Sequence, residues 1–200
     1  MTMQKITAFF VASFLALSLK AAVDTGTPAP NFSLTDATGS SHELSEFRGS
    51  YVVLEWTNHR CPFVVKHYRD GHMQALQEKM TGDGVVWLQI NSSAAGKQGH
   101  VTAEEAEGLR RSKGFKSTAY LLDAGGDVGR LYDARTTPHI YLIDPEGTLI
   151  YQGAIDSIQS TKTADIERAE HYLKAAYKAH KQGEPIAQPT TTAYGCSVKY

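Results

Sequence analysis

Cysteine is scarce in this chain: 200 residues contain two, Cys61 and Cys196. Any disulfide closed within one chain must join that pair. Basic residues are not in excess either, with 20 Lys and Arg against 21 Asp and Glu. This balance excludes the basic footprint of a nucleic-acid binder. No internal repeat is present. The apolar run ITAFFVASFLALSL, residues 6–19, is shorter than the roughly 20 residues a membrane span needs. No cysteine directly follows that run, which argues against a lipoprotein anchor.

Lys5 precedes the apolar run and Ala21-Ala22 follows it. Charged, apolar, small is the order of a secretory signal, so residues 1–21 are expected to be a leader; an uncleaved anchor is the alternative. Without Lys5 and Lys20 the chain keeps 18 basic and 21 acidic residues. Its length then suits one domain, residues 22–182, followed by a tail, 183–200, that carries Cys196. The expected location is periplasmic or secreted, with no stable membrane insertion once the leader is removed. There a disulfide can form and persist.

Along the chain, NFSLTDATGSSHEL reads as a hairpin turning at 36–39, followed by a helical turn at 44–47. Tyr51 to Trp56 is a near-continuous apolar run, the pattern of a strand buried on both faces. A helical spacing from Phe63 to Met80 starts behind Pro62 and has Gly71 inside it as a possible kink. VVWLQI, 85–90, is a second buried strand. Thr102-Ala-Glu-Glu105 is a capping-box pattern that opens a helix to about Ser112. Further strands are expected at 119–122, 139–143 and 148–152. A short helix is expected at 127–132 and a long one at 163–181. Strands alternating with helices, closed by a hairpin, give an α/β fold with a mixed sheet. His67 and His72 read as solvated positions on the helix after Cys61.

Cys61 stands where a strand gives way to a helix, directly before Pro62. A helix N-terminus presents unpaired N–H groups and partial positive charge, which favour a thiolate. Arg60 and His59 add positive charge if they face the sulfur. A buried, inert cysteine is the plain alternative.

Four stretches, GTPAPNFSLTDATG, YVVLEWTNHRCPF, RTTPHIYLIDPEGTLIYQG and YGCSVKY, resemble the redoxin branch of the thioredoxin-like superfamily, which includes alkyl hydroperoxide reductases and thiol-specific antioxidants. The resemblance spans roughly residues 27–180. It implies a thioredoxin-like fold, a central mixed sheet flanked by helices. It also implies a cis Thr137-Pro138 bond that faces Cys61 and leaves the Thr137 backbone open to a substrate chain. The motif departs from the family at Asn58-His59-Arg60-Cys61, where a thioredoxin has Cys-x-x-Cys and Asn58 replaces the first cysteine. The peroxiredoxin pattern is not matched either, because Thr57 stands one place too early.

The implied function is a thiol oxidoreductase that uses Cys61 as nucleophile. Asn58, Arg60, Thr137 and Pro138 would shape the site. Its partners would be a peroxide or a protein disulfide together with an external thiol reductant, with neither cofactor nor resident metal. Cys196 has three readings: a resolving cysteine on a mobile tail, a permanent staple, or an intermolecular partner. Two other functions stay open. One is a binding module without turnover. The other is a metal carrier built on His59 and Cys61, with His139 or Cys196.

Overall fold

The computed structural model describes residues 23–200; the expected leader, 1–21, lies outside them. A hairpin of β1 (Ser33–Asp36) and β2 (Ser41–Glu43) opens the fold. Asp36 builds its turn by accepting from the backbone N–H groups of Thr38 and Ser40. Next come β3 (Val52–Trp56), α1 (Pro62–Tyr68), α2 (His72–Gly82) and β4 (Val86–Asn91). They are followed by α3 (Ala103–Lys113), β5 (Ala119–Leu122), α4 (Asp127–Leu131) and β6 (Thr136–Thr137). The chain closes with β7 (His139–Ile143), β8 (Leu149–Gly153), α5 (Tyr172–Lys181) and β9 (Cys196–Ser197).

Seven strands form one mixed sheet in the order β2-β1-β5-β4-β3-β7-β8. β4 runs parallel to both β3 and β5, whereas β7 is antiparallel to β3. β3 is central and buried along its whole length, as its continuous apolar run requires. Alternate β3 side chains feed two cores. Leu54 and Trp56 pack with Ile90, Tyr132 and Tyr141 on one face. Val53 packs with Trp87, Ile140, Met73 and Leu173 on the other, beneath α1, α2 and α5.

The helix expected over 63–80 is two helices. Gly71 sits at φ 83°, a left-handed conformation that ends α1 and starts α2. The helix expected over 163–181 is also divided. A short 3₁₀ turn, Thr163–Asp165, precedes α5, which starts only where the His171 side chain accepts from Lys174 N. The capping box holds: Thr102 accepts from Glu105 N, and Glu105 accepts from Thr102 N. No helix among the described residues is long and apolar enough to cross a membrane.

The expected solvation of His67 is corrected. His67 is buried, and burial pushes its pKa down to about 4. It neighbours Lys66, whose side chain is also buried and donates to Asp156 at 2.9 Å. The segment after β8 and the tail hold Lys66 through Asp156, Ile158 and Tyr194, so this polar side chain faces protein rather than water.

Candidate active site

Cys61 is the N-cap of α1, with Pro62 as its first residue. Asn58 shapes the loop before it. Its side-chain oxygen accepts from Arg60 N at 2.9 Å, and its backbone carbonyl accepts from Cys61 N at 2.9 Å. The Asn58 amide nitrogen donates to the backbone and side-chain oxygens of Gln98. The buried Asn58 side chain therefore ties the cysteine loop to the 92–100 loop. Gly99 permits that approach: a Cβ there would come within 2.3 Å of the Asn58 amide. Arg60 is exposed and lines a hollow with Glu105 and Ser112, on the α3 side of the loop.

Opposite Cys61 stands the Thr137-Pro138 peptide, which is cis. The Cys61 sulfur lies 3.0 Å from the Thr137 carbonyl oxygen. Antiparallel to this loop runs β9, with Cys196 paired to Thr137 and Ser197 to Thr136. That pairing brings the two sulfurs to 2.7 Å. No covalent bond joins the two sulfurs in this structure. Gly195, at φ 145°, makes the close pairing possible, because a Cβ there would meet the Thr137 oxygen at 2.1 Å.

The tail is held far beyond this one pair. Thr191 donates its backbone N–H to Gln152 O, and Val198 donates to Arg135 O. Ala94 donates to Lys199 O, and the Tyr200 hydroxyl donates to Ala134 O. Tyr194 donates to the Asp156 carboxylate that also holds Lys66. The mobile tail of the sequence reading is, in this structure, a docked strap that occupies the Thr137 edge.

The two thiols are electrostatically unlike. Burial pushes Cys61 up, but the Cys196 thiol, Thr137 and the backbone N–H groups of Val64 and Cys196 bring it below its ordinary value. The Thr137 carbonyl opposes them, because it can accept only from protonated sulfur. Cys196 is pushed up to about 11 by burial and by its neighbour. Cys61 is thus the sulfur that ionises first, and Cys196 the one that keeps its proton. Exposure runs the other way: Cys61 is 0% exposed, whereas Cys196 is partly open to solvent.

The metal-carrier grouping does not assemble. Among the described residues, no three His, Cys, Asp or Glu side chains come together as metal ligands. His139 instead packs at a tilt against the Tyr141 ring and accepts from Arg135 N. Burial lowers its pKa to about 4, which keeps it neutral.

A thioredoxin-like sheet with a cysteine at a helix start is matched by a family model over residues 25–152, that of the AhpC/TSA family. The chain belongs to the AhpC/TSA family. Among curated relatives, the thiol-disulfide oxidoreductase ResA of Bacillus thuringiensis is 26% identical over 152 residues, 76% of this chain and 78% of that protein. A hypothetical protein of Sinorhizobium meliloti aligns in structure with a TM-score of 0.75 and 28% identity, over 90% of this chain and 96% of its own. The thioredoxin domain of a thiol-disulfide oxidoreductase from Bacteroides vulgatus shares the fold. Its TM-score is 0.51 at 21% identity, over 74% of this chain and 98% of that domain. The AhpC/TSA match ends before the tail, so Cys196 lies outside the region the family model describes.

Proposed function

We propose that the protein is a thiol oxidoreductase whose working centre is the Cys61–Cys196 pair, cycling between dithiol and disulfide. The observation that carries this reading is the 2.7 Å sulfur contact, made by strand pairing at the Thr137-Pro138 loop. The AhpC/TSA membership and the ResA relative support thiol–disulfide chemistry.

In the oxidising half-reaction the tail lifts and the Cys61 thiolate attacks a sulfur of a substrate disulfide. One substrate thiolate leaves and takes a proton. Cys196 then loses its proton and attacks the Cys61 sulfur, the second substrate thiolate leaves, and the Cys61–Cys196 disulfide closes. Two electrons have moved from the protein to the substrate. A hydroperoxide can replace the disulfide: Cys61 takes the terminal oxygen as a sulfenic acid, an alcohol leaves, and Cys196 expels water. The docked tail favours such small oxidants, because it fills the edge a peptide substrate needs. Regeneration uses two thiols. The first attacks Cys196, the exposed sulfur, and Cys61 departs as the better leaving thiolate. Asn58 holds the loop geometry, and Thr137 and Pro138 form the wall against which Cys61 rests.

A structural disulfide without turnover is the second reading, favoured by the many contacts that hold the tail independently of sulfur. The leader pattern at 1–21 supports a periplasmic or secreted location for either. The test uses oxidised glutathione and hydrogen peroxide in separate experiments. Wild type should convert to the internal disulfide with either oxidant and be recovered by reduced glutathione. Cys196→Ser should stop at a glutathione adduct or sulfenic acid on Cys61. Adducts confined to Cys196 in the Cys61→Ser and wild-type chains alike would remove the nucleophile role from Cys61.

A further inference from the structure

Between α2 and α5 lies a groove of about 570 Å³, and neither cysteine lines it. Its floor is apolar: Leu76 and Met80 belong to the core beneath, and Tyr177 packs against the same core. Four lysines, Lys79, Lys174, Lys178 and Lys181, stand around it with His72, against a single acidic residue, Asp83. This concentration of positive charge sits in a chain whose net charge is −1. Lys79, Lys174 and Lys178 take part in no ion pair among the described residues. Lys181 donates to the Tyr177 hydroxyl at 3.1 Å and lies over that ring.

Helix electrostatics accounts for only part of this. Lys79, Lys178 and Lys181 lie in the last turns of their helices, where a cation is favoured. Lys174 lies in the first turn of α5, where a cation is disfavoured. Fold stability gives no reason for a lysine there, whereas an anion in the groove does.

We propose that the groove binds a single-chain amphiphilic anion, an acyl carboxylate. Its hydrocarbon lies on Leu76, Met80 and Tyr177, and its carboxylate is held among the lysines. The volume falls in the small-molecule range of about 300–1,000 Å³. The aliphatic stems of the lysines extend the apolar wall while their ammonium groups stay in water. The apolar segment 6–19 of this chain is flanked by Lys5 and Lys20, which carry the same sign as the rim and do not match it. A partner protein would need about 800 Å² of its own surface buried, more than a hollow of this size offers. A flat anionic membrane would reach the rim and leave the recessed floor empty.

The test is calorimetric titration of the full chain with dodecanoate, kept below its micelle concentration. Dodecyltrimethylammonium, with the same tail and opposite charge, is the control. Dodecanoate should saturate one site and bind at least about tenfold tighter than the cation, a difference of about 1.4 kcal/mol. The double variant Lys174→Glu/Lys178→Glu should reverse that preference. Ala75→Trp, on the exposed wall, should block both ligands while leaving the circular dichroism spectrum unchanged. Cys61→Ser should bind as wild type does, so the outcome is independent of the redox reading. Equal affinity for the two detergents, non-saturable uptake, or unchanged binding in both groove variants would overturn the proposal. Binding to phosphatidylglycerol vesicles with none to dodecanoate would also overturn it, in favour of a membrane-facing surface.

Discussion

The Cys61 thiol depends on a donor it does not own. The Cys196 S–H is the foremost of the interactions that lower its pKa against burial. Cys196→Ser keeps a donor at that position and should leave the Cys61 labelling profile close to that of the reduced wild type. Cys196→Ala removes the donor and should move the profile to higher pH, read by alkylation rate against pH. A second buried ionisable group lies in the strand just before. Glu55 is fully buried and accepts from Tyr68, Trp87 and Gln77. Burial raises its pKa from 4.5 to about 7. Between those values the folded chain holds a proton that the unfolded chain has lost. The Glu55 contribution to stability is therefore fully present below about pH 4.5 and is lost as pH rises through 7, a change on the order of 3 kcal/mol. Relative to Glu55→Gln, wild type should lose stability between pH 5 and pH 7.5, measured as urea midpoints. Glu55 was not legible from sequence, because one carboxylate inside Val-Val-Leu-Glu-Trp reads as part of an apolar run.

At the scale of elements, the tail strand decides whether the two sulfurs meet. Gly195→Ala would press a methyl group into the Thr137 carbonyl. It should abolish internal disulfide formation while the seven-stranded sheet and its melting transition persist. Asp156 is shared by Tyr194, two residues before Cys196 on the tail, and by Lys66, five residues beyond Cys61 on α1. Tyr194→Phe removes one bond to a charged group, worth about 1.5–3 kcal/mol. It should slow disulfide closure by at least about tenfold and leave the labelling pH of Cys61 where it was. The central strands and the capping box could be read from sequence because each carries its own local signal, whereas the cis Thr137-Pro138 bond was expected only through the family resemblance. The strap could not be read from its Pro/Thr-rich composition. Its docking signal is the alternation of Tyr194, Cys196, Val198 and Tyr200, a strand period easily passed over in so short a stretch. Gly71 and the polar stretch before Tyr172 broke helices that hydrophobic spacing had joined, since spacing registers the buried face and not backbone conformation.

Across the whole molecule the fold brings together two cysteines that are 135 residues apart in sequence. In the chain-entropy model a disulfide of that span stabilises by up to about 5 kcal/mol, so oxidised and reduced forms should unfold at clearly different urea concentrations. The family match covers Cys61 but not Cys196, which comes from a segment beyond the matched region. The structure sets two sulfurs together from the helix start and the tail, whereas the loop itself carries Asn58 in place of a near cysteine; on the proposed function, that distant pair carries the two-cysteine chemistry. The reduction potential of the Cys61–Cys196 couple tests this account most directly, through equilibration in glutathione and dithiothreitol buffers with mass-shift labelling of both thiols. The account predicts one two-electron transition in which both cysteines titrate together, at a potential above about −300 mV, within reach of biological thiols. A bond that stays closed to potentials well below that value, or two cysteines that titrate separately, would contradict it.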